Sequence, residues 1–252
     1  MAAIEALIFD VDGTLADTER DGHRVAFNRA FADAGLDWEW DVPLYGRLLA
    51  VTGGKERIRH YLSEYNRDFR PPPDLDAFVA DLHAAKTAHY KALMAEGRVP
   101  LRPGVERLLR EARAAGIPLA IATTTTMDNV TALLENTLGS ESIGWFAEIG
   151  AGDIVPRKKP APDIYDWVLE RLGLSPERVV AFEDSGHGVT SAADAGIRRI
   201  LVTTNDYTRD QDFSRAALVL DQLGEPGSPP RTASGEPLQG PVNLALLEAL
   251  PA

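Results

Sequence analysis

The chain has 252 residues, 44% of them hydrophobic and 25% charged, with a formal charge of −12 and a pI near 4.9. Those proportions describe a soluble globular protein with room for one large core, or a core and a smaller second domain. The absence of cysteine excludes disulfides, thiolate nucleophiles and Cys-ligated zinc, and an acidic chain without a basic stripe is not expected to bind nucleic acid or an anionic membrane.

No apolar run approaches membrane-spanning length, and the first strand pattern starts a few residues after Met1, leaving no room for a signal peptide. A cytoplasmic protein is expected. That first strand is Ala6-Leu7-Ile8-Phe9, an apolar run of the kind buried in parallel sheets, and it opens into Asp10-Val11-Asp12-Gly13-Thr14. Alternation along a strand starts Asp10 and Asp12 toward one side. Two carboxylates in a small volume repel unless a cation lies between them or one is protonated, and both remedies suit phosphoryl transfer with Asp10 as nucleophile and Asp12 as acid and base. Read alone, the stretch fits equally well a strand ending in an ordinary Asp-Gly turn.

From Asp17 to about Arg98 the periodicity turns helical. Val25, Phe27, Ala30 and Phe31 mark one helix, Leu44, Leu48 and Leu49 a second, and Ile58, Tyr61 and Leu62 a third; after Arg70-Pro71-Pro72-Pro73 a long stripe runs through Phe78, Leu82, Ala85, His89 and Leu93. The pattern predicts a four-helix insertion over residues 18–98, placed directly after the first strand, where it can serve as a lid. Strands and helices alternate from Leu101 onward. Strands are expected at 117–122, 148–151, 179–182, 200–203 and 217–220, with helices before and between them, which implies a doubly wound parallel sheet formed by residues 1–17 and 99–224. Beyond Gly224 the Gly- and Pro-rich composition predicts a flexible tail, residues 225–252, ending in a short docked helix.

Three more strand tips carry chemistry-bearing residues. Thr123 and Thr124 offer hydroxyl and backbone donors to a phosphate oxygen. Lys159, in a loop before a helix, can pair with Asp10 and a transferring phosphoryl group. Glu183 and Asp184 end a strand where packing gives little reason for two acids, and a Mg²⁺ ligand at Asp184 explains them better. Taken singly, the Thr tip and the basic loop are better explained as solvated polar ends.

Asp-x-Asp-Gly-Thr, the Thr tip, Lys159-Pro160 and Glu183-Asp184-Ser185, in this order, resemble the four motifs of the haloacid-dehalogenase-like phosphotransferases over about Ile4 to Leu223. The resemblance implies a Rossmann-like core with an inserted helical cap, an aspartyl-phosphate at Asp10, proton transfer by Asp12, phosphoryl binding by Thr123 and Lys159, and Mg²⁺ held by Asp10, the Asp12 carbonyl and Asp184, with Glu183 a further candidate ligand. Within that family, Thr18–Arg24, Thr52–Arg57, Trp40-Asp41-Val42, Leu101–Val105 and Lys159-Pro160 resemble the CbbY-type phosphatases, which hydrolyse xylulose-1,5-bisphosphate, an inhibitor of Rubisco.

The cap residues read physically as a site for a sugar phosphorylated at both ends. Gly53 and Gly54 open a helix whose free N–H groups can bind an anion, with Lys55 in its first turn and Arg59 one turn later. Lys86 can add charge, although a lone lysine is more often a solvated surface residue, and Glu19 and His23 can contact sugar hydroxyls, with a satisfied structural histidine the rival reading of His23. The expected partner is a small phosphorylated sugar, with the protein a monomer. A phosphoglycolate or hexose-phosphate phosphatase, a β-phosphoglucomutase-like mutase and a catalytically silent binding protein remain the alternatives. His23, displaced by one residue from the mutase hinge histidine, and Thr126, where mutases carry lysine, count against the mutase. Gly54-Lys55 is no P-loop, Gly150-Ala151-Gly152 lacks the third glycine of a dinucleotide fingerprint, and His83 and His89 are too far apart for a helical zinc pair.

Overall fold

A computed structural model describes residues 3–51 and 53–251 and divides the chain into two compact units, residues up to Asp17 with those from Pro100 onward, and Thr18–Val99 between them. Thr52, part of one of the quoted cap motifs, lies outside the described residues. None of the described helices is long and apolar enough to cross a membrane.

Strand β1 (Ala6–Phe9) starts the first unit, and the chain then enters the helical unit. A π-helical turn at Thr18–His23 leads into α1 (Arg24–Asp33), followed by α2 (Val42–Leu48), α3 (Gly54–Glu64) and α4 (Leu75–Ala95). Local chemistry sets the starts of these helices. Asp41 caps α2 by accepting from Leu44 N at 2.7 Å, with proline in the first turn, and Asp74 caps α4 by accepting from Ala77 N at 2.9 Å. The unit closes on an aromatic core. Trp40, with no exposed surface, lies 4.7 Å from the Phe27 ring and 4.8 Å from Phe31, and Trp38 lies 5.2 Å from Phe31. Asn28 holds the Trp40 backbone from both sides, accepting from its N–H at 2.9 Å and donating to its carbonyl at 3.0 Å.

The chain returns to the first unit beside its point of departure: Ala16 and Leu101 pair as an antiparallel bridge, and Arg102 N donates to Leu15 O at 2.8 Å. There follow α5 (Val105–Ala114), β2 (Leu119–Ala122), α6 (Met127–Leu138), β3 (Phe146–Gly150), α7 (Asp163–Leu172), β4 (Val179–Glu183), α8 (Gly186–Asp194), β5 (Ile200–Thr203), β6 (Leu218–Leu220) and α9 (Leu244–Glu248). The six strands form one all-parallel sheet in the order β3-β2-β1-β4-β5-β6. Alternate residues sort onto its two faces. Ala6, Ile8, Ala120, Ala122, Val179 and Ala181 pack with Ile164, Tyr165 and Val168 of α7 and Val189 and Ala192 of α8. The intervening side chains are buried as well, with Phe9 and Phe182 stacked at 4.3 Å between neighbouring strands. A sheet buried on both faces accounts for the uninterrupted apolar runs in the sequence.

The segment after Gly224, expected as a flexible tail ending in a short docked helix, carries the short helix α9 (Leu244–Glu248) near its end. Residues after Gly224 turn back on the sheet through bridges between Leu220 and Thr232 and between Arg231 and Pro237. Val242 N donates to Leu223 O at 2.8 Å, Arg107 donates to Val242 O at 2.6 Å, and Glu111 accepts from Leu244 N at 3.0 Å. Val242, Leu247 and Leu250 are buried. The proline and glycine content reflects tight turns anchored by long-range hydrogen bonds.

Truncating the largest buried ring of the helical unit leaves a cavity its neighbours cannot fill. Trp40→Ala is expected to lower stability by about 3–5 kcal/mol, read as a shift in the urea midpoint of aromatic circular dichroism, whereas exposed Tyr65→Ala leaves the midpoint nearly unchanged.

Candidate active site

Parallel strands end together, so the first residues beyond β1, β2 and β4 share one edge of the sheet. Asp10 follows β1 and donates its N–H to Phe182 O at 3.0 Å; Thr123 follows β2; Glu183 closes β4 and Asp184 follows it. Lys159 reaches this edge from the loop between β3 and α7. Its ammonium donates to Asp10 Oδ1 at 2.7 Å, Glu183 Oε1 at 2.6 Å and the Ala122 carbonyl at 2.8 Å, beside Thr123. The Lys159 side chain is 8% exposed, and Asp10, Thr123, Glu183 and Asp184 are buried. Thr124 is exposed.

Among the described residues, Asp10, Glu183 and Asp184 form the group of acidic donors that could hold a metal ion, one oxygen from each lying within 4.8 Å of the others. All-oxygen, carboxylate-rich ligation suits a hard divalent cation, and Glu183 Oε2 is buried without a hydrogen-bond partner. The half-buried Asp12 carboxylate is not part of this group, and the Asp12 backbone is bridged to Ala16.

Two glycines make the space. Gly13 adopts φ +84°, and a Cβ there would lie 2.1 Å from Asp184 Oδ2; a Cβ at Gly188 would lie 1.8 Å from Glu183 Oε2. Three partners were not foreseen in the sequence. Tyr165 on α7 donates its hydroxyl to Glu183 Oε1 at 2.6 Å, Asn205 beyond β5 donates Nδ2 to Asp184 Oδ2 at 2.7 Å, and buried Arg102 donates to the carbonyls of Gly13 and Thr203. The signals were faint: Asn205 is a further strand tip, and Tyr165 lies on the buried face of a helix six residues after Lys159.

The helical unit holds its own polar cluster. Glu19 Oε2 accepts from the Tyr45 hydroxyl at 2.5 Å, and that hydroxyl accepts from Arg57 Nη1 at 2.9 Å. Lys86 is buried, with its ammonium 2.8 Å from His23 Nδ1 and 5.2 Å from the Phe27 and Tyr90 ring centres. Because lysine can only donate here, His23 Nδ1 accepts and the imidazole is neutral; burial, then Lys86, Arg57 and His83, hold its pKa well below the usual value. Arg59 does not share this environment. It pairs with Asp76 at 2.7 Å on the surface, and Lys55 is exposed. The buried cation of α3 is Arg57, which shares the inward face with Ile58 and Tyr61. A Cβ at Gly54 would lie 2.5 Å from His83 Cδ2, so close helix packing itself calls for glycine at the start of α3.

The haloacid dehalogenase-like hydrolase family model matches residues 4–196. The chain belongs to that family. This hydrolase is 51% identical to the plasmid-encoded protein CbbY of Cupriavidus necator over 226 residues, covering 90% of this chain and 88% of that protein. Its fold is similar to CbbY from Rhodobacter sphaeroides in complex with phosphate, at 49% identity and a TM-score of 0.74 over 87% of this chain and 94% of that one. A variant of that protein in complex with xylulose-1,5-bisphosphate gives 47% identity and a TM-score of 0.76, covering 93% of this chain and all of the other.

The electrostatics of the candidate site follow from burial. Burial works to lower the Lys159 pKa, but Asp10 and Glu183 outweigh it and hold the ammonium above the ordinary lysine value. Burial raises Glu183 to about 7, with Lys159 opposing and Asp10 adding to the rise; burial, Asp10 and Glu183 push Asp184 well above the carboxylate range. A carboxyl with a raised folded pKa stabilises the fold fully below its unfolded pKa, and that contribution is lost as pH rises through the folded value. In EDTA, the stability of the wild type relative to Glu183→Gln is therefore expected to fall between about pH 4.5 and about pH 7. Denaturant midpoints measured across that range would be parallel for the two proteins if Glu183 were not the titrating group.

Proposed function

We propose that this hydrolase is a Mg²⁺-dependent phosphatase that removes a phosphoryl group from a phosphorylated sugar, with xylulose-1,5-bisphosphate as its substrate. The observation that carries the reading is the buried Lys159 ammonium shared by Asp10 and Glu183, in the same site as the converging Asp10, Glu183 and Asp184 oxygens. A carboxylate approaching a phosphate ester meets an anion, and a fixed ammonium on Asp10 Oδ1 offsets that repulsion while aligning the attacking group.

Asp10 is assigned as nucleophile. Its carboxylate attacks phosphorus, the ester P–O bond breaks, and Asp12 donates a proton to the departing sugar oxygen. Asp12 then takes a proton from water, which attacks the aspartyl-phosphate and releases inorganic phosphate and the free Asp10 carboxylate. Thr123 and Lys159 hold the phosphoryl oxygens. Asp10, Asp184 and the Asp12 carbonyl would hold Mg²⁺, which would supply neutralisation of the phosphate charge. Glu183 holds the lysine in place through Oε1, which accepts from Lys159 and Tyr165, and its unpartnered Oε2 keeps it a further candidate ligand. Recognition of the rest of the sugar phosphate is assigned to Glu19, His23, Lys55 and Lys86, joined by Arg57 in place of Arg59. The complex of the Rhodobacter sphaeroides relative with xylulose-1,5-bisphosphate supports the choice of substrate.

Phosphate release measured with Mg²⁺ over xylulose-1,5-bisphosphate, ribulose-1,5-bisphosphate, phosphoglycolate and hexose phosphates is expected to be fastest with the first and negligible with the second. EDTA should abolish it, and Asp10→Asn should lower kcat by about 10³-fold or more. A panel led by phosphoglycolate would replace the substrate, an isomer formed without net phosphate would make the protein a mutase, and no turnover at all would make it a binding protein.

A further inference from the structure

Asn205 follows β5 by two residues, and β5 is the parallel neighbour of β4, with Glu183 level with Val202. The loop carrying Asn205 is tied down before and after it. Ahead of it, the Arg102 guanidinium donates to Thr203 O at 2.9 Å and Thr204 O at 2.6 Å, and also to Gly13 O. Behind it, Tyr207 N donates to Asn205 Oδ1 at 2.9 Å and Asn205 N donates to Thr208 Oγ1 at 3.1 Å. The first of these bonds fixes the amide orientation: a backbone N–H must face the carbonyl oxygen, so the NH₂ group is turned to Asp184 Oδ2, at 2.7 Å. The bare Cα of Gly13 closes the same spot, since a Cβ there would lie 2.1 Å from Asp184 Oδ2 and 2.8 Å from Asn205 Nδ2.

We propose that Asn205 is a positioning residue for the cation site: by occupying Asp184 Oδ2 from a rigid loop, it fixes the carboxylate so that the other oxygen is presented to the divalent ion. The inference rests on the reading of Asp10 and Asp184 as metal ligands and adds to it the residue that orients one of them. A carboxylate with one oxygen held does not have to give up rotational freedom when the ion binds, and the neutral amide donor offsets part of the repulsion among three buried acids without adding a charge. Arg102 gives the arrangement its stiffness, because one guanidinium joins the Gly13 turn to the segment that precedes Asn205.

The test is Mg²⁺ affinity by isothermal titration calorimetry on the full chain, with melting temperature in EDTA as the measure of folding. Asn205→Ser keeps an oxygen to accept from Tyr207 N but is too short to reach Asp184, and Asn205→Ala removes both bonds. The expected result is a Kd for Mg²⁺ raised about 10- to 100-fold in Asn205→Ser with the EDTA melting temperature unchanged, and phosphatase activity that recovers toward the wild-type kcat at high Mg²⁺. A Kd within about twofold of wild type, when Asp184→Asn abolishes binding, overturns the role of Asn205 and leaves the metal reading standing. A melting temperature in EDTA lowered in both variants in step with affinity makes Asn205 a folding residue and also overturns it. A wild type that does not bind Mg²⁺ removes the metal reading and this inference together.

Discussion

A lysine ammonium buried between two carboxylates is the interaction on which this edge of the sheet depends. Moving one charge out of water is costly, and three such groups are tolerable only when each lies within hydrogen-bonding distance of an opposite partner. Lys159 satisfies this with Asp10 and Glu183 while its third hydrogen goes to a strand-end carbonyl. Removing Lys159 leaves two carboxylates without a cation in a dry place. The surrounding architecture therefore has to deliver three chain segments, separated by up to 173 residues in sequence, to one point. A parallel sheet does this because its strands all finish at the same edge.

The strands and the residues at their tips were legible in the sequence because both signals are local. An apolar run bounded by polar residues announces a buried strand, and the acids, threonines and lysine at its end are conspicuous there. What was not legible depends on helical phase or on distant partners. The inward position of Arg57 on α3 depends on helical phase, which only the packing of Ile58 and Tyr61 on the same face reveals. Tyr165 and Asn205 look like ordinary helix and loop residues until Glu183 and Asp184 are placed beside them. The composition and the apolar run before Leu250 point to a tail with a short helix, whereas the bonds that tie it to the sheet unit come from Arg107 and Glu111, more than 100 residues earlier.

The helical unit illustrates a different balance. Its core relies on clustered rings rather than strand pairing, and its buried polar groups are satisfied by one another: Glu19 by Tyr45, Tyr45 by Arg57, Lys86 by a neutral His23. Neutrality of the imidazole matters because a charged ring would place two cations 2.8 Å apart, so the histidine serves as an acceptor and an aromatic surface stacked on Tyr90. In a chain of net charge −12, Arg57 and Lys86 are two cations buried within one small unit.

The hydrogen-bonded pairing of Ala16 with Leu101 means that more than 80 residues leave and re-enter the sheet unit through adjoining chain positions. An excursion whose two ends meet adds little topological burden to the body that hosts it, since loop length enters the closure entropy only logarithmically. The stem is thus a natural splice point. Segments of quite different length fit between two such adjoining positions while the strand pairing of the sheet unit stays the same.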